Sequence, residues 1–168
     1  MTLVTCLINA IEINSLITRV FLPKYQIKGK NNMQITRQAD YALRAMLFLS
    51  KLEPNQRAST SQIAEEQRIP PSFLAKIISQ LSIAGLIHTS RGARGGVSLA
   101  RSPETINILE VVEAIDGPIA LNECTNSVDG CPFGDDCPVR PMWCDAQDDL
   151  VQRLRTTTFA SFATPTAG

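Results

Sequence analysis

Four cysteines, Cys124, Cys131, Cys137 and Cys144, fall within twenty-one residues of a 168-residue chain. Their spacing is Cys-x6-Cys-x5-Cys-x6-Cys, in a stretch rich in Gly, Pro and Asp. Thiolates gathered on a loop are soft donors that suit zinc or iron–sulfur clusters. Zinc ribbons and knuckles bring Cys-x2-Cys pairs, because two thiolates on one tight turn fit a tetrahedron, and this segment has no such pair. Wider, even gaps let a loop wrap something larger than one ion. Stray buried or disulfide-bonded cysteines are the plainer reading of the same residues. The total of five cysteines is odd, and no positive charge precedes the apolar N-terminal stretch as a secretory signal requires. Both points favour a reducing cytosol over a disulfide scaffold. Cys6 takes no role, and the one histidine, His88, reads as a surface or strand residue.

A second set of candidates lies upstream and suits a polyanion. Ser72, Phe73, Lys76 and Gln80 fall on or near one side of a short helix, where side chains can reach base edges or phosphates. Arg91 and Arg94 sit in a Gly-rich turn and suit a narrow minor groove or flanking phosphates, with Gly95 allowing close approach. Thr36 and Arg37, at the head of the first helix, complete the DNA-contact set. Exposed Lys and Gln decorate many helices, so the argument rests on the order of the elements rather than on any one residue.

Those elements can be read from periodicity. A helix is expected from Thr36 to Leu52, with Ala39, Ala42, Leu43, Met46, Leu47 and Leu49 on its apolar face and Thr36 as N-cap. Ser59 or Thr60 can cap a short second helix carrying Ile63, Ala64 and Ile69. Pro70-Pro71 breaks the chain, and Pro71 suits a first helical turn. The third helix is expected from Ser72 to Ala84, with Phe73, Leu74, Ile77, Ile78 and Leu81 inward, stopped by Gly85. Residues 86–100 read as two short strands around the Gly/Arg turn. Three helices and a hairpin make a winged helix-turn-helix, so the fold class is mainly α with a small β-hairpin wing. Asn107-x-x-Glu110 resembles a capping box for a helix through Ile115, closed by Asp116-Gly117-Pro118.

After the cysteines a final helix is expected from Asp145 to about Phe162, with Leu150, Val151, Leu154, Phe159 and Phe162 as its apolar positions. Asp145, Asp148 and Asp149 near its start and Arg153 and Arg155 later would favour its dipole. Such a lone amphipathic helix must bury its stripe, and the same helix of a second subunit is the economical cover.

Net charge is zero, but it is unevenly spread. Residues 33–101 carry nine Lys/Arg against four Asp/Glu, and residues 102–168 carry three against eleven. A basic front half suits DNA, and an acidic rear half would be repelled by it. The chain divides into an extension 1–32, a reading region 33–101, a helix and cysteine loop 102–144, a dimerisation helix 145–162 and a tail 163–168. The extension is apolar but interrupted by Asn9, Glu12, Asn14 and Arg19, too short an apolar run for a membrane span. Met33 opens the well-patterned part and is expected to be the natural start.

Four segments resemble the Rrf2 family of bacterial winged-helix regulators, which includes the IscR, NsrR and RirA groups. They are MQITRQADYALRAMLFL from Met33, IAEEQRIPPSFLAKIISQLSIAGLI from Ile63, SRGARGGVSLA from Ser90, and ILEVVEAIDGP from Ile108 followed by spaced cysteines and RPMW at 140–143. The resemblance implies a homodimer that binds a palindromic operator in double-stranded DNA and holds a cluster at the dimer interface. It assigns Cys124, Cys131 and Cys137 as the ligands of a 4Fe–4S or 2Fe–2S cluster. The first gap is one residue longer than is common in the family. The IscR-type histidine ligand is replaced by Arg140, which stays protonated and cannot ligate. Asp40 stands where NsrR-type members supply a carboxylate from the partner subunit. Cys144 is a less favoured ligand, since the family places none there. Trp143 is expected to pack between the loop and the last helix.

These readings converge on a cytoplasmic, homodimeric regulator, a repressor by expectation, whose DNA binding follows an iron–sulfur cluster that senses nitric oxide, redox stress or iron–sulfur status. The rivals are a zinc-structured or cluster-free winged-helix DNA-binding protein, and a small iron–sulfur redox protein. No nucleophile–base pair and no phosphate-binding loop is present, so no enzyme is expected.

Overall fold

The computed structural model describes residues 35–53, 56–92, 95–126 and 133–163. The extension 1–32, the Met33 start, Arg94, Cys131 and the tail from residue 164 lie outside the described residues. Seven α-helices and one two-stranded sheet occur among them.

Helix α1, Arg37–Ser50, is capped by Thr36, whose hydroxyl accepts from the Ala39 N–H. Its face of Ala39, Ala42, Ala45, Met46 and Leu49 is buried. Helix α2, Thr60–Glu66, is capped by the Ser59 hydroxyl. Helix α3, Pro71–Ile83, starts with the proline at its first position, where a missing N–H leaves no bond unmade. Leu74, Ile77, Ile78 and Leu81 of α3 pack into the core, but Phe73 stays 46% exposed. The inward reading of Phe73 therefore fails. It lies on the flank of the apolar stripe, and its ring meets Tyr41 edge-on from outside the core, 6.2 Å between centroids.

Helices α2 and α3 end in the same way. Leu86 N–H donates to Leu81 O and Gly85 N–H to Ser82 O, and Ile69 N–H donates to Ala64 O and Arg68 N–H to Glu65 O. Both are Schellman closures, which need a left-handed residue. Gly85 supplies it with φ 70°, whereas after α2 the residue is Arg68, with φ 51°.

Strands β1, Ile87–Ser90, and β2, Gly96–Leu99, pair antiparallel with Ile87 opposite Leu99. Val97 also exchanges two backbone hydrogen bonds with Ala58, which ties the hairpin to the segment before α2. Helix α4, Ile108–Asp116, has the expected capping box, with Asn107 and Glu110 each bonding the other's backbone N–H. It packs against α1. A four-residue helix α5, Glu123–Asn126, follows.

The last long helix differs from expectation. Helix α6 spans Arg140–Thr156, with Pro141 in its first turn. Asp145, Asp148 and Asp149 thus sit in its middle and do not serve its N-terminal dipole. The helix stops at Thr156 because the next residues pair with another segment: Ile108 N–H donates to Thr157 O, and Phe159 N–H to Ile106 O. Phe159 is then fully buried in the core, and a short helix α7, Ala160–Ala163, ends the described chain. No residue of α6 is buried. No helix among the described residues is long and apolar enough to cross a membrane.

Candidate functional site

A groove of about 570 Å³ lies between the start of α2, α3 and the hairpin, lined by Ser59, Thr60, Ser79, Thr89, Ser90 and Arg91 among others. Hydroxyls and a guanidinium along a groove suit phosphate oxygens. Of the expected DNA contacts, Arg91 lines this groove; Ser72, Phe73 and Lys76 are exposed on α3 outside its lining, with Phe73 against Tyr41.

Other expected contacts have different surroundings. Gln80 is half-buried, and its Oε1 is enclosed without a hydrogen bond among the described residues. Gly95 shapes the turn: a Cβ there would collide with Ser90 O and come within 2.9 Å of Gly92 O. Thr36 is exposed but engaged, because its N–H and hydroxyl both donate to the Asp116 carboxylate, at 3.1 and 2.6 Å. Arg37 beside it is exposed. Two cations were not singled out in the sequence. Arg57 donates to the Ser90 hydroxyl and braces the hairpin beside its turn. Arg68 lies exposed in the turn before α3. The hydroxyl runs Ser59-Thr60-Ser61 and Thr89-Ser90 were the available signal.

The cysteine loop is held by α6. Arg140 Nε donates to Cys124 O at 3.1 Å, and Arg140 N–H donates to Cys137 O at 3.2 Å. One residue thus gathers the main chains of both described loop cysteines. Two turns further along α6, Gln147 Oε1 accepts from the Leu121 N–H at 3.0 Å and from the Thr125 hydroxyl at 2.6 Å. Neither the Arg140 bonds nor Gln147 was evident in the sequence, because each depends on α6 beginning at Arg140.

Cys124, Cys137 and Cys144 are free thiols of intermediate exposure. Cys144 lies within α6 rather than at its start. Among the described residues no three His, Cys, Asp or Glu side chains come together as a metal site, and Cys131 falls outside them. The donor chemistry fits a cluster: soft, partly exposed thiols on a loop anchored at both ends, with the third cysteine between them in sequence. His88, exposed on β1, is remote in sequence and offers no support for a ligand role.

Asp40, on the first turn of α1, is half-exposed and pairs with Arg44 one turn on, at 2.7 Å. Arg44 also lies over the Tyr41 ring, 5.6 Å from its centroid. An exposed i,i+4 pair is worth a few tenths of a kcal/mol, on the order of 0.3–0.5, so it does not by itself fix the carboxylate.

Comparison with known proteins agrees with this architecture. Residues 35–165 match the Rrf2 family, described as an iron-dependent transcriptional regulator. The HTH-type transcriptional regulator NsrR of Shouchella clausii is 35% identical over 127 residues, covering 75% of this chain and 85% of that protein. The structure of CymR, the global cysteine regulator of B. subtilis, superposes with a TM-score of 0.67 at 27% identity, covering 77% of this chain and 95% of that one. The fold of T. potens IscR is similar too, with a TM-score of 0.61 over 79% of this chain and 87% of that one, at 23% identity. The helix-turn-helix, the wing and the α6-anchored loop, with a family match over most of the chain, place it in the Rrf2 family of transcriptional regulators.

Proposed function

We propose that this chain is a cytoplasmic, homodimeric repressor of the NsrR type, which binds a palindromic operator under control of an iron–sulfur cluster sensing nitric oxide or redox stress. Cys124, Cys131 and Cys137 would hold the cluster, with Asp40 of the partner subunit as fourth ligand. When bound, such a cluster supplies an exposed iron and sulfide centre that reacts with nitric oxide and oxidants. The chain's own residues do the rest. Arg140 gathers two of the cysteines and cannot itself ligate. Gln147 pins the loop to α6.

The observation that carries this reading is the Asp116–Thr36 link. The cysteine loop leaves α4 immediately after Asp116, and Asp116 is bonded to the residue that caps α1. Asp40 stands one turn along that same helix. Loop placement and the scaffold of the reading head therefore share one contact, and a change in the loop has a short physical route to the helix packed behind α3. The dimer rests on α6, a seventeen-residue helix with no buried residue. A groove of about 780 Å³ beside its C-terminal end is lined by Leu43, Leu47, Leu154 and Phe162 among others.

The test is anaerobic purification with iron and sulfide analysis, followed by DNA binding. Iron and sulfide in equal amounts are expected, lost in Cys124→Ala, Cys131→Ala and Cys137→Ala and kept in Cys144→Ala. In the DNA arm, Lys76→Ala and Arg91→Ala should each lower the salt slope of binding by about 1. Stoichiometric zinc without sulfide would replace the cluster reading with the zinc-structured one. Full iron with no DNA binding would favour a redox protein.

A further inference from the structure

We propose that Phe73 is a specificity-determining residue that reads the 5-methyl group of a thymine in the major groove. This rests on the DNA-binding reading above and names the base feature recognised.

The exposed side chains of α3 are Pro71, Ser72, Phe73, Ala75, Lys76 and Ser79, followed by Ile83 at the far end; Ser72, Lys76 and Ser79 are the ones that can hydrogen-bond. Lysine is selective for guanine acceptors, and serine pairs with any base. The remaining contacts are apolar, and the only apolar group on a major-groove base edge is the thymine methyl. Phe73 is the third residue of α3, within the N-terminal turn that reaches base edges in helix-turn-helix proteins.

The ring is also held for such a task. Phe73 is 46% exposed, yet it packs edge-on against Tyr41 at 6.2 Å with planes 70° apart. Tyr41 is itself buried and covered by Arg44. A ring with a fixed inner edge loses little freedom on binding, so contact made by its outer edge is not offset by ordering.

The experiment selects duplexes bound by the full-length dimer from a random pool. Each thymine of the selected half-site is then replaced by deoxyuridine, which removes only the methyl. One thymine per half-site is expected to show a loss of roughly fourfold, the worth of one buried methyl. In Phe73→Ala that sensitivity should vanish while lysine-dependent salt sensitivity remains. Phe73→Leu, which keeps an apolar side chain, should retain part of it. Circular dichroism of each variant checks the fold, and the uridine scan of the parent protein decides even if Phe73→Ala fails to fold. Uridine tolerance at every thymine, or a uridine effect unchanged in Phe73→Ala, overturns the proposal while leaving DNA binding intact. A parent protein that enriches no duplex overturns both.

Discussion

Thr36 and Asp116 lie eighty residues apart in sequence, and two hydrogen bonds join them, from the Thr36 N–H and from its hydroxyl to the two carboxylate oxygens. The same hydroxyl accepts from the Ala39 N–H. One threonine thus caps α1 and fastens it to the end of α4. The contact is solvent-facing, so its worth is modest, but it joins the end of α4 to the start of α1.

Asp116→Ala should destabilise the fold by about 1 kcal/mol, and Thr36→Val by about 1–2 kcal/mol, since it also removes the cap. The double variant should lose less than the two losses added, by about 0.5 kcal/mol or more, because both remove one shared contact. Urea denaturation of the four proteins measures this. Strict additivity would show that the two residues act separately.

Arg68 occupies a left-handed position where glycine is usual. Arg68→Gly should raise stability by about 0.5–1 kcal/mol, the relief of the side chain's steric cost less the added freedom of the unfolded chain. An equal or lower melting temperature would mean that the arginine side chain makes contacts that offset its conformation.

Much of this architecture is legible in the sequence because local signals and burial agree. Thr36, Ser59 and Asn107 announce three helix starts, Pro71 a fourth, and Gly85 an end. Phe73 and α6 were misread for identifiable reasons. Phe73 follows the helical period closely enough to pass for core, and only the position of Tyr41 shows which side of the stripe it takes. In α6, the aspartates at 145, 148 and 149 mimic an N-terminal turn, while Pro141 marks the true one. The loop cysteines could be seen from spacing. Their anchors could not, since Arg140 and Gln147 reach residues 16 and 26 positions away in sequence, and such contacts leave no periodic trace.

The apolar residues of α6 should join two subunits. Leu150 is 38% exposed and Leu154 is half-buried beside the groove with Leu43 and Leu47. Leu154→Asp would bury an unpaired charge in the dimer, a cost on the order of several kcal/mol. Sedimentation should then show monomer, with the helical content of each subunit retained because α6 contributes nothing fully buried to its own core. A dimer as tight as the parent's would place the interface elsewhere.

The fourth ligand divides Asp40 from Cys144. Asp40 is half-exposed on the first turn of α1, and its bond to Arg44 uses Oδ2, so a carboxylate there can engage a second group without leaving its partner. Cys144 is a half-buried thiol within α6, one turn beyond Arg140. A carboxylate is a harder, weaker ligand for iron than a thiolate. Asp40→Ala should therefore keep its iron when purified without oxygen, yet lose its visible absorption several-fold faster on exposure to air or nitric oxide. Arg44→Ala tests the pair separately: it removes a competitor for the carboxylate and should leave decay equal or slower. Cys144→Ser should match the parent in both iron content and decay. Stopped-flow absorption of the four proteins decides. Unchanged decay in Asp40→Ala, with iron lost from Cys144→Ser, would move the fourth-ligand role to Cys144 and remove the crossing of the dimer from the sensing scheme.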